Sequence, residues 1–335
     1  MHARRRVAHM SPSHFRIIVR SLIKALISVA LIAFALRGVD TAAVGAQLAS
    51  VDPWSAAIAI VLTTGISAIH AERWRIVLAR LGCVERFRSA WRLVLIGYFF
   101  NQTLPSTVGG DAFRIWGAYR SGIGVSTAAS SVIIDRMLAL ASLLLMILVG
   151  LRWLFELITV ASARWIVLLV IVGGALGMAL LLFASRFATK LEGWRVTRFL
   201  LLLAAGVRAV FASTRAIAAV VMLTLCGYVI ASYVVYVLAR GIAIDLSLGN
   251  ALLLIPLVTL VTVLPISIAG WGLRESAMVV ALGMIGVSAS AAFSLSLLQG
   301  LVAMASGVPG GLLWLSMRGM APRAASSGTA SPSHE

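Results

Sequence analysis

The chain has 335 residues, 61% of them hydrophobic and only 12% charged, whereas soluble domains run at roughly 45–50% apolar and about 25% charged. A mean hydropathy of +1.03 over the whole length leaves no polar stretch long enough to build a soluble body, so the membrane is the domain. The formal net charge of +17 comes from 28 Lys and Arg against 11 Asp and Glu. These basic residues sit in short connections between apolar runs, and the positive-inside rule accounts for them without a nucleic-acid partner.

A basic cytoplasmic tail, residues 1–16, precedes the first apolar run, Ile17–Leu36. A signal peptide is the rival reading, because Ala25–Leu36 has the length of an h-region and Val44-Gly45-Ala46 resembles a cleavage site. In both readings the chain emerges on the far side of the membrane. Further runs cover Trp54–Ile69, Trp91–Leu104, Ser126–Gly150, Trp165–Phe183, Ala216–Leu238, Ala251–Ile268 and Ala291–Leu315. Trp54, Trp153, Trp165 and Trp314 lie near run ends, where interfacial aromatics belong. Residues 185–215 mix six basic residues with the apolar stretch Phe199–Ala205, a pattern for a helix lying on the anionic inner leaflet. The last residues, 319–335, form a Ser/Ala/Pro-rich tail expected to be disordered.

A cytoplasmic N-terminus puts 22 of the 28 Lys and Arg on the cytoplasmic side and leaves Arg37, Arg152, Arg164 and Arg240 opposite, with Arg136 and Arg274 in apolar surroundings. This count closes only if Trp91–Arg120 enters from the cytoplasm and returns to it. Likewise Asn250–Gly286 must leave and re-enter from outside. The expected fold is an all-α polytopic membrane protein with about six full transmembrane helices plus two opposed re-entrant hairpins, all within residues 17–318. Both termini are then cytoplasmic.

Each hairpin contains a break of the same form. Residues 104–114 read LPSTVGGDAFR and residues 264–274 read LPISIAGWGLR, so Leu, Pro, Gly and Arg recur at a constant offset of 160. Gly124-Val125-Ser126 and Gly286-Val287-Ser288 extend the match after a gap two residues longer. The repeat halves run from about 54 to 150 and from about 216 to 317; one hairpin is fed from inside and the other from outside, so they form an inverted repeat. That is the architecture of alternating-access transporters, in which broken helices meet at mid-depth. Pro105 and Pro265 block helix continuation, while Gly109, Gly110, Gly270 and Gly272 permit conformations and close approaches that other residues resist. Unwound backbone at membrane depth must be buried in protein or line a wet cavity.

An ionisable cluster follows each break: Asp111 and Arg114 in the first, Arg274 and Glu275 in the second. A third, Asp135-Arg136, lies inside the Ser126–Gly150 run, where each charge costs about 2.5–3.5 kcal/mol on insertion scales. One reading is a structural ion pair. The other makes Arg114, Arg136 and Arg274 a cationic site for an anionic group, with Asp111, Asp135 and Glu275 holding those arginines or carrying protons. Asn101 belongs to a glycosylation sequon, but its place at the hairpin tip favours a polar cavity lining. His70, Glu72 and Arg73 read as a solvated end of the second span, and Gly173–Gly177 and Gly307–Gly311 as close helix contacts. Cys83 and Cys226 read as small core residues. No P-loop, HExxH, GxSxG or Cys/His ligand set is present, so the sequence shows no nucleophile, metal site or cofactor site, and a transporter is favoured over a catalyst.

GYFFNQTLPSTVGGDAFR at 97–114, SSVIIDRMLAL at 130–140 and LPISIAGWGLRES at 264–276, in that order, resemble the transmembrane flippase-like domain of lysylphosphatidylglycerol synthases. The resemblance covers roughly residues 17–318 and implies movement of lipids between leaflets. The soluble aminoacyl-transferase domain has no counterpart in the residues after Arg318, so the transferase activity is not expected here. What carries over is the polar set Asn101, Pro105, Gly110, Asp111, Arg114, Asp135, Arg136, Gly270, Arg274 and Glu275. The leading expectation is a translocase of the bacterial inner membrane for an anionic or phosphate-bearing lipid. Membrane lipids are its partners, with an enzyme of lipid or polyprenyl-linked glycan synthesis as a further candidate. The alternatives are a membrane-embedded transferase with Asp111, Asp135 or Glu275 as acid or base, and an ion-coupled transporter of a small solute.

Overall fold

The computed structural model describes residues 39–103, 109–158, 195–263 and 270–318, with parts of 26–36 and 164–179. The two tails, most of the first apolar run, much of Trp165–Phe183, and the breaks holding Pro105 and Pro265 lie outside the described residues. Among the described residues every regular element is a helix: α1 Thr41–Ala49, α2 Pro53–Arg80, α3 Phe87–Thr103, α4 Gly109–Arg120, α5 Val125–Val149, α6 Leu151–Leu157, α7 Arg195–Phe211, α8 Thr214–Gly241, α9 Leu248–Thr262, α10 Leu273–Gly283 and α11 Ala289–Arg318. The protein is an all-α polytopic membrane protein, and α2, α5, α8 and α11 are long and apolar enough to cross the bilayer. By contrast α3, α4, α9 and α10 have 17, 12, 15 and 11 residues, which at about 1.5 Å per residue fall short of a hydrocarbon core of roughly 30 Å.

Local sequence fixes where these helices begin. Asp52 accepts hydrogen bonds from the Trp54 and Ser55 amides ahead of α2, and Pro53 fills the first helical position. The Ser55 hydroxyl and amide hold the Asp52 carboxyl below its ordinary range. Ser213 and Ser247 cap α8 and α9 in the same manner.

The order of long helix, two short helices, long helix occurs twice, as α2–α3–α4–α5 and as α8–α9–α10–α11. The leading helices of the halves run antiparallel. At one end the Asp52 amide donates to the Gly241 carbonyl at 3.0 Å; at the other Arg80 Nε donates to the Ala209 carbonyl at 3.0 Å, just ahead of α8. The two halves are therefore inverted with respect to one another. Helices α5 and α8 run in the same direction: Arg73 bonds both Asp135 and Thr224, and one turn further the Tyr228 hydroxyl donates to the Ala139 carbonyl at 3.1 Å. Parallel neighbours require the chain to recross between them, and residues 171–177 in that interval are helical.

One buried cluster joins α5, α8, α9, α10 and α11, with Leu143, Leu238, Leu254, Met278 and Leu295 at its centre. A second joins α2, α3, α4 and α5 around Trp74, Leu93 and Ala118. Helix α7 forms within the basic stretch as the pattern of residues 185–215 predicts. Its apolar face has a different destination from the expected leaflet surface, because Leu203, Val207 and Val210 are buried with Val77, Ile134, Leu138 and Val220.

Close helix approach depends on small residues. A Cβ on Gly310 of α11 would collide with the Leu95 carbonyl of α3, and one on Gly311 would sit 2.9 Å from the Phe99 ring. Inversion relates this α3–α11 seam to the α9–α5 contact, which is not sealed. There a cavity of about 610 Å³ is lined by apolar side chains including Leu140, Leu144, Leu257, Val261, Ala277 and Val280. Gly307 has more room, with the nearest atom, Phe99 Cα, at 3.4 Å from a built Cβ. We expect Gly310→Ala to lower stability in detergent by about 1–3 kcal/mol through overpacking and Gly307→Ala to cost under about 1 kcal/mol. Thermal unfolding followed by tryptophan fluorescence checks this contrast.

Candidate functional site

Hydropathy ends the second apolar run at Ile69, yet α2 continues through His70, Glu72 and Arg73 to Arg80. The expected solvated helix end is corrected by tertiary partners. Arg73 is only 4% exposed, because Nε and Nη2 grip the two Asp135 oxygens at 2.7 and 3.2 Å while Nη1 reaches the Thr224 hydroxyl at 3.4 Å. Glu72 pairs with Arg75 on the other side of the helix at 2.6 Å. The Tyr98 hydroxyl and His70 Nδ1 are 2.7 Å apart. Fork geometry of this kind is the strongest carboxylate recognition available to a side chain.

The first hairpin delivers the next group. Gly110 opens α4 with its amide donating to Asn101 Oδ1 of α3 at 2.9 Å, so Asn101 satisfies a helix-start donor across the break. Only glycine fits there, since a Cβ on Gly110 would run into the Gly97 carbonyl. One turn on, Arg114 Nη2 donates to Asp135 Oδ2 at 3.0 Å and Nη1 to Asp111 Oδ1 at 3.4 Å. The Arg114 guanidinium lies 4.4 Å above the Trp74 ring, and Trp74 Nε1 is fixed by the Ser131 hydroxyl at 3.0 Å. Stacking on the ring face and two carboxylate contacts set the plane of the guanidinium.

Asp135 and Arg136 are adjacent on α5 and point about 100° apart on the helix. Asp135 is fully buried. Arg136 instead emerges beside the hairpin, its side chain 54% exposed, and clasps Asp111 through Nε and Nη2 at 2.9 and 3.1 Å. Three guanidinium groups thus share two carboxylates in one connected network. Within it the buried Arg114 Nε has no hydrogen-bond partner.

The second hairpin is organised differently. Gly270 and Gly272 carry φ of 82° and 83°, left-handed conformations that glycine adopts without the usual penalty. They turn the chain into α10, where Glu275 accepts from the Gly272 amide at 2.5 Å and from Arg274 Nη2 and Nε at 2.6 and 3.1 Å. Ser296 of α11 donates to the same carboxylate at 3.3 Å. The Arg274 guanidinium stacks 4.8 Å from the Trp271 ring and packs against Gly300. This pair is neutral by itself.

The fold therefore gathers Asn101, Asp111, Arg114, Asp135 and Arg136 at the first hairpin, and places Arg274 and Glu275 in a separate pair at the second. Gly109, Gly110, Gly270 and Gly272 stand at the helix starts beside the two breaks. Arg73 is the residue that hydropathy hides: the signal that finds it is the need of a mid-span aspartate for a buried cation. Among the described residues no group of three His, Cys, Asp or Glu converges on a metal position. Each carboxylate is engaged by arginine donors, an arrangement suited to holding cations in place and poorly suited to shuttling protons.

Losing one member of a buried pair strands the other. We expect Arg73→Leu to lower stability by about 3–5 kcal/mol, the usual cost of an uncompensated buried charge. The double variant Arg73→Leu/Asp135→Asn recovers part of that loss, read as the unfolding midpoint of purified protein in detergent.

A family model described as the lysylphosphatidylglycerol synthase TM region matches residues 21–311. A UPF0104 membrane protein of Methanocaldococcus jannaschii is 32% identical over 93 residues, covering 27% of this chain and 28% of that protein's length. The match spans more than half of the residues, taking in both hairpins, α2, α5, α8, most of α11 and every arginine of the network: the chain belongs to the lysylphosphatidylglycerol synthase TM region family.

Proposed function

We propose that the protein is a lipid translocase of the bacterial inner membrane, which moves an anionic or phosphate-bearing lipid between leaflets. The transmembrane unit spans residues 17–318, and its N- and C-termini are cytoplasmic. The observation that carries this reading is the network at the first hairpin, whose buried part, Arg73, Arg114 and Asp135, continues to the half-exposed Arg136 and in which arginines outnumber carboxylates. Uncompensated charge at membrane depth is costly and marks substrate pathways. A headgroup phosphate supplies the missing negative charge while its chains stay in hydrocarbon. Asn101, Asp111, Arg114, Asp135, Arg136, Arg274 and Glu275 form the substrate path, and the breaks at Pro105, Gly109, Gly110, Pro265, Gly270 and Gly272 act as its hinges. An enzyme of lipid or polyprenyl-linked glycan synthesis is the partner that would supply or consume the lipid.

Inversion of the halves supports the same reading, since one seam is closed by glycines and its counterpart stands open. Alternation between two such seams exposes a site to one leaflet at a time.

The test is a leaflet-exposure assay in proteoliposomes with short-chain fluorescent phosphatidylglycerol and a polyprenyl-phosphate analogue. We expect wild type to move at least one of them, and Arg136→Gln and the neutral pair variant Arg274→Ala/Glu275→Gln to reduce the rate at least about tenfold in protein that its unfolding midpoint shows to be folded. Wild-type rates in both variants sink the proposal. Conversion of a lipid with turnover, lost in Asp135→Asn, replaces it with the transferase.

A further inference from the structure

We infer that the first-hairpin network selects a headgroup bearing a single negative charge, a phosphodiester, over one bearing two. This rests on the translocase reading and narrows its substrate. The argument is one of charge closure. Arg73, Arg114 and Arg136 bring three positive charges; Asp111 and Asp135 return two. The flanking ionic pair Glu72–Arg75 cancels itself, and so does Arg274–Glu275 at the second hairpin. The network is left with one positive charge.

A monoanion brings that sum to zero. A dianion inverts it and leaves an excess of the opposite sign, again an unfavourable net charge within apolar surroundings. Zwitterionic headgroups leave the original excess in place. The selection is thus set by a count of ionised groups, and a charge-changing, shape-conserving substitution alters it in a stated direction.

Two further features bear on which donors an anion would meet. Arg114 Nε is a buried donor with no partner, and a buried charged donor left unpaired calls for an acceptor. Its side chain is only 8% exposed and is held by Asp111 and Asp135 and by the Trp74 ring 4.4 Å away, so the group is in place before any ligand arrives. Arg136 offers the approach: its side chain is 54% exposed, and Nε and Nη2 are turned to Asp111. Arg73 is the residue that makes the count odd. With both its forks on Asp135 and Thr224, it contacts the network from behind and acts as a positioning residue.

The experiment measures leaflet exchange in proteoliposomes at pH 8 with three fluorescent lipids of equal chain length: phosphatidylglycerol, phosphatidic acid and phosphatidylcholine. Phosphatidic acid is a phosphomonoester, which at this pH carries negative charge from a second ionisation that a phosphodiester cannot undergo. We expect wild type to move phosphatidylglycerol at least about tenfold faster than either of the others. Asp111→Asn raises the network charge by one and should bring the ratio of phosphatidylglycerol to phosphatidic acid to about one or below. Arg136→Gln lowers it by one and should remove the advantage of phosphatidylglycerol over phosphatidylcholine.

Equal or faster movement of phosphatidic acid by wild type overturns the inference and leaves the translocase standing. So does a variant pair that changes all three rates by one common factor, which is the signature of a structural role. Movement of none of the three lipids by folded wild type removes the translocase reading and this inference with it.

Discussion

Everything at the first hairpin depends on one carboxylate. Asp135 has no exposure and receives two guanidinium groups, Arg73 from α2 and Arg114 from α4. A single ionised group in a low-dielectric interior ties a long helix, a hairpin helix and a second long helix together, because none of the three charges is tolerable there without the others. The register of α2 against α5 follows, as does the place where α4 must start. Trp74 and Ser131 complete the arrangement with an indole that both packs and donates.

The halves share a backbone plan and differ in where they keep their charge. In the second, carboxylate and guanidinium are neighbours in sequence, Arg274 and Glu275, and close on themselves with help from Ser296. In the first, the carboxylates stand one turn before Arg114 and on another helix, and a third arginine joins from α2. A self-contained pair leaves α10 free of electrostatic ties to the long helices beyond α11. A distributed network instead makes α4 a member of the bundle. The second hairpin, not the first, borders the open cavity.

Packing follows the same asymmetry. Gly310 and Gly311 let α11 meet the backbone of α3, an approach that membrane helices reach only with small residues at the contact. At its inverted counterpart Leu140 and Leu144 of α5 and Leu257 and Val261 of α9 line a cavity. The same architecture thus yields a sealed seam and an open one from the identity of a few residues.

Much of this was legible in the chain before any coordinates. Apolar runs long enough to span, basic connections that set a direction, and the recurrence of Leu, Pro, Gly and Arg at an offset of 160 determine an all-α membrane protein with two broken hairpins, because bilayer thickness and backbone satisfaction leave few other solutions. The charges of Asp111, Arg114, Asp135 and Arg136 announced themselves by standing in or beside apolar sequence. Arg73 did not. It follows a run that hydropathy had ended, and its burial is created by Asp135, 62 positions away. The separation of Arg274 and Glu275 from the other charges, and the packing of α7 on the bundle, were likewise decided by the fold. Hydropathy is a sum over neighbours in sequence, whereas an ion pair, a helix seam and a cavity are properties of neighbours in space, and only tertiary structure brings those together.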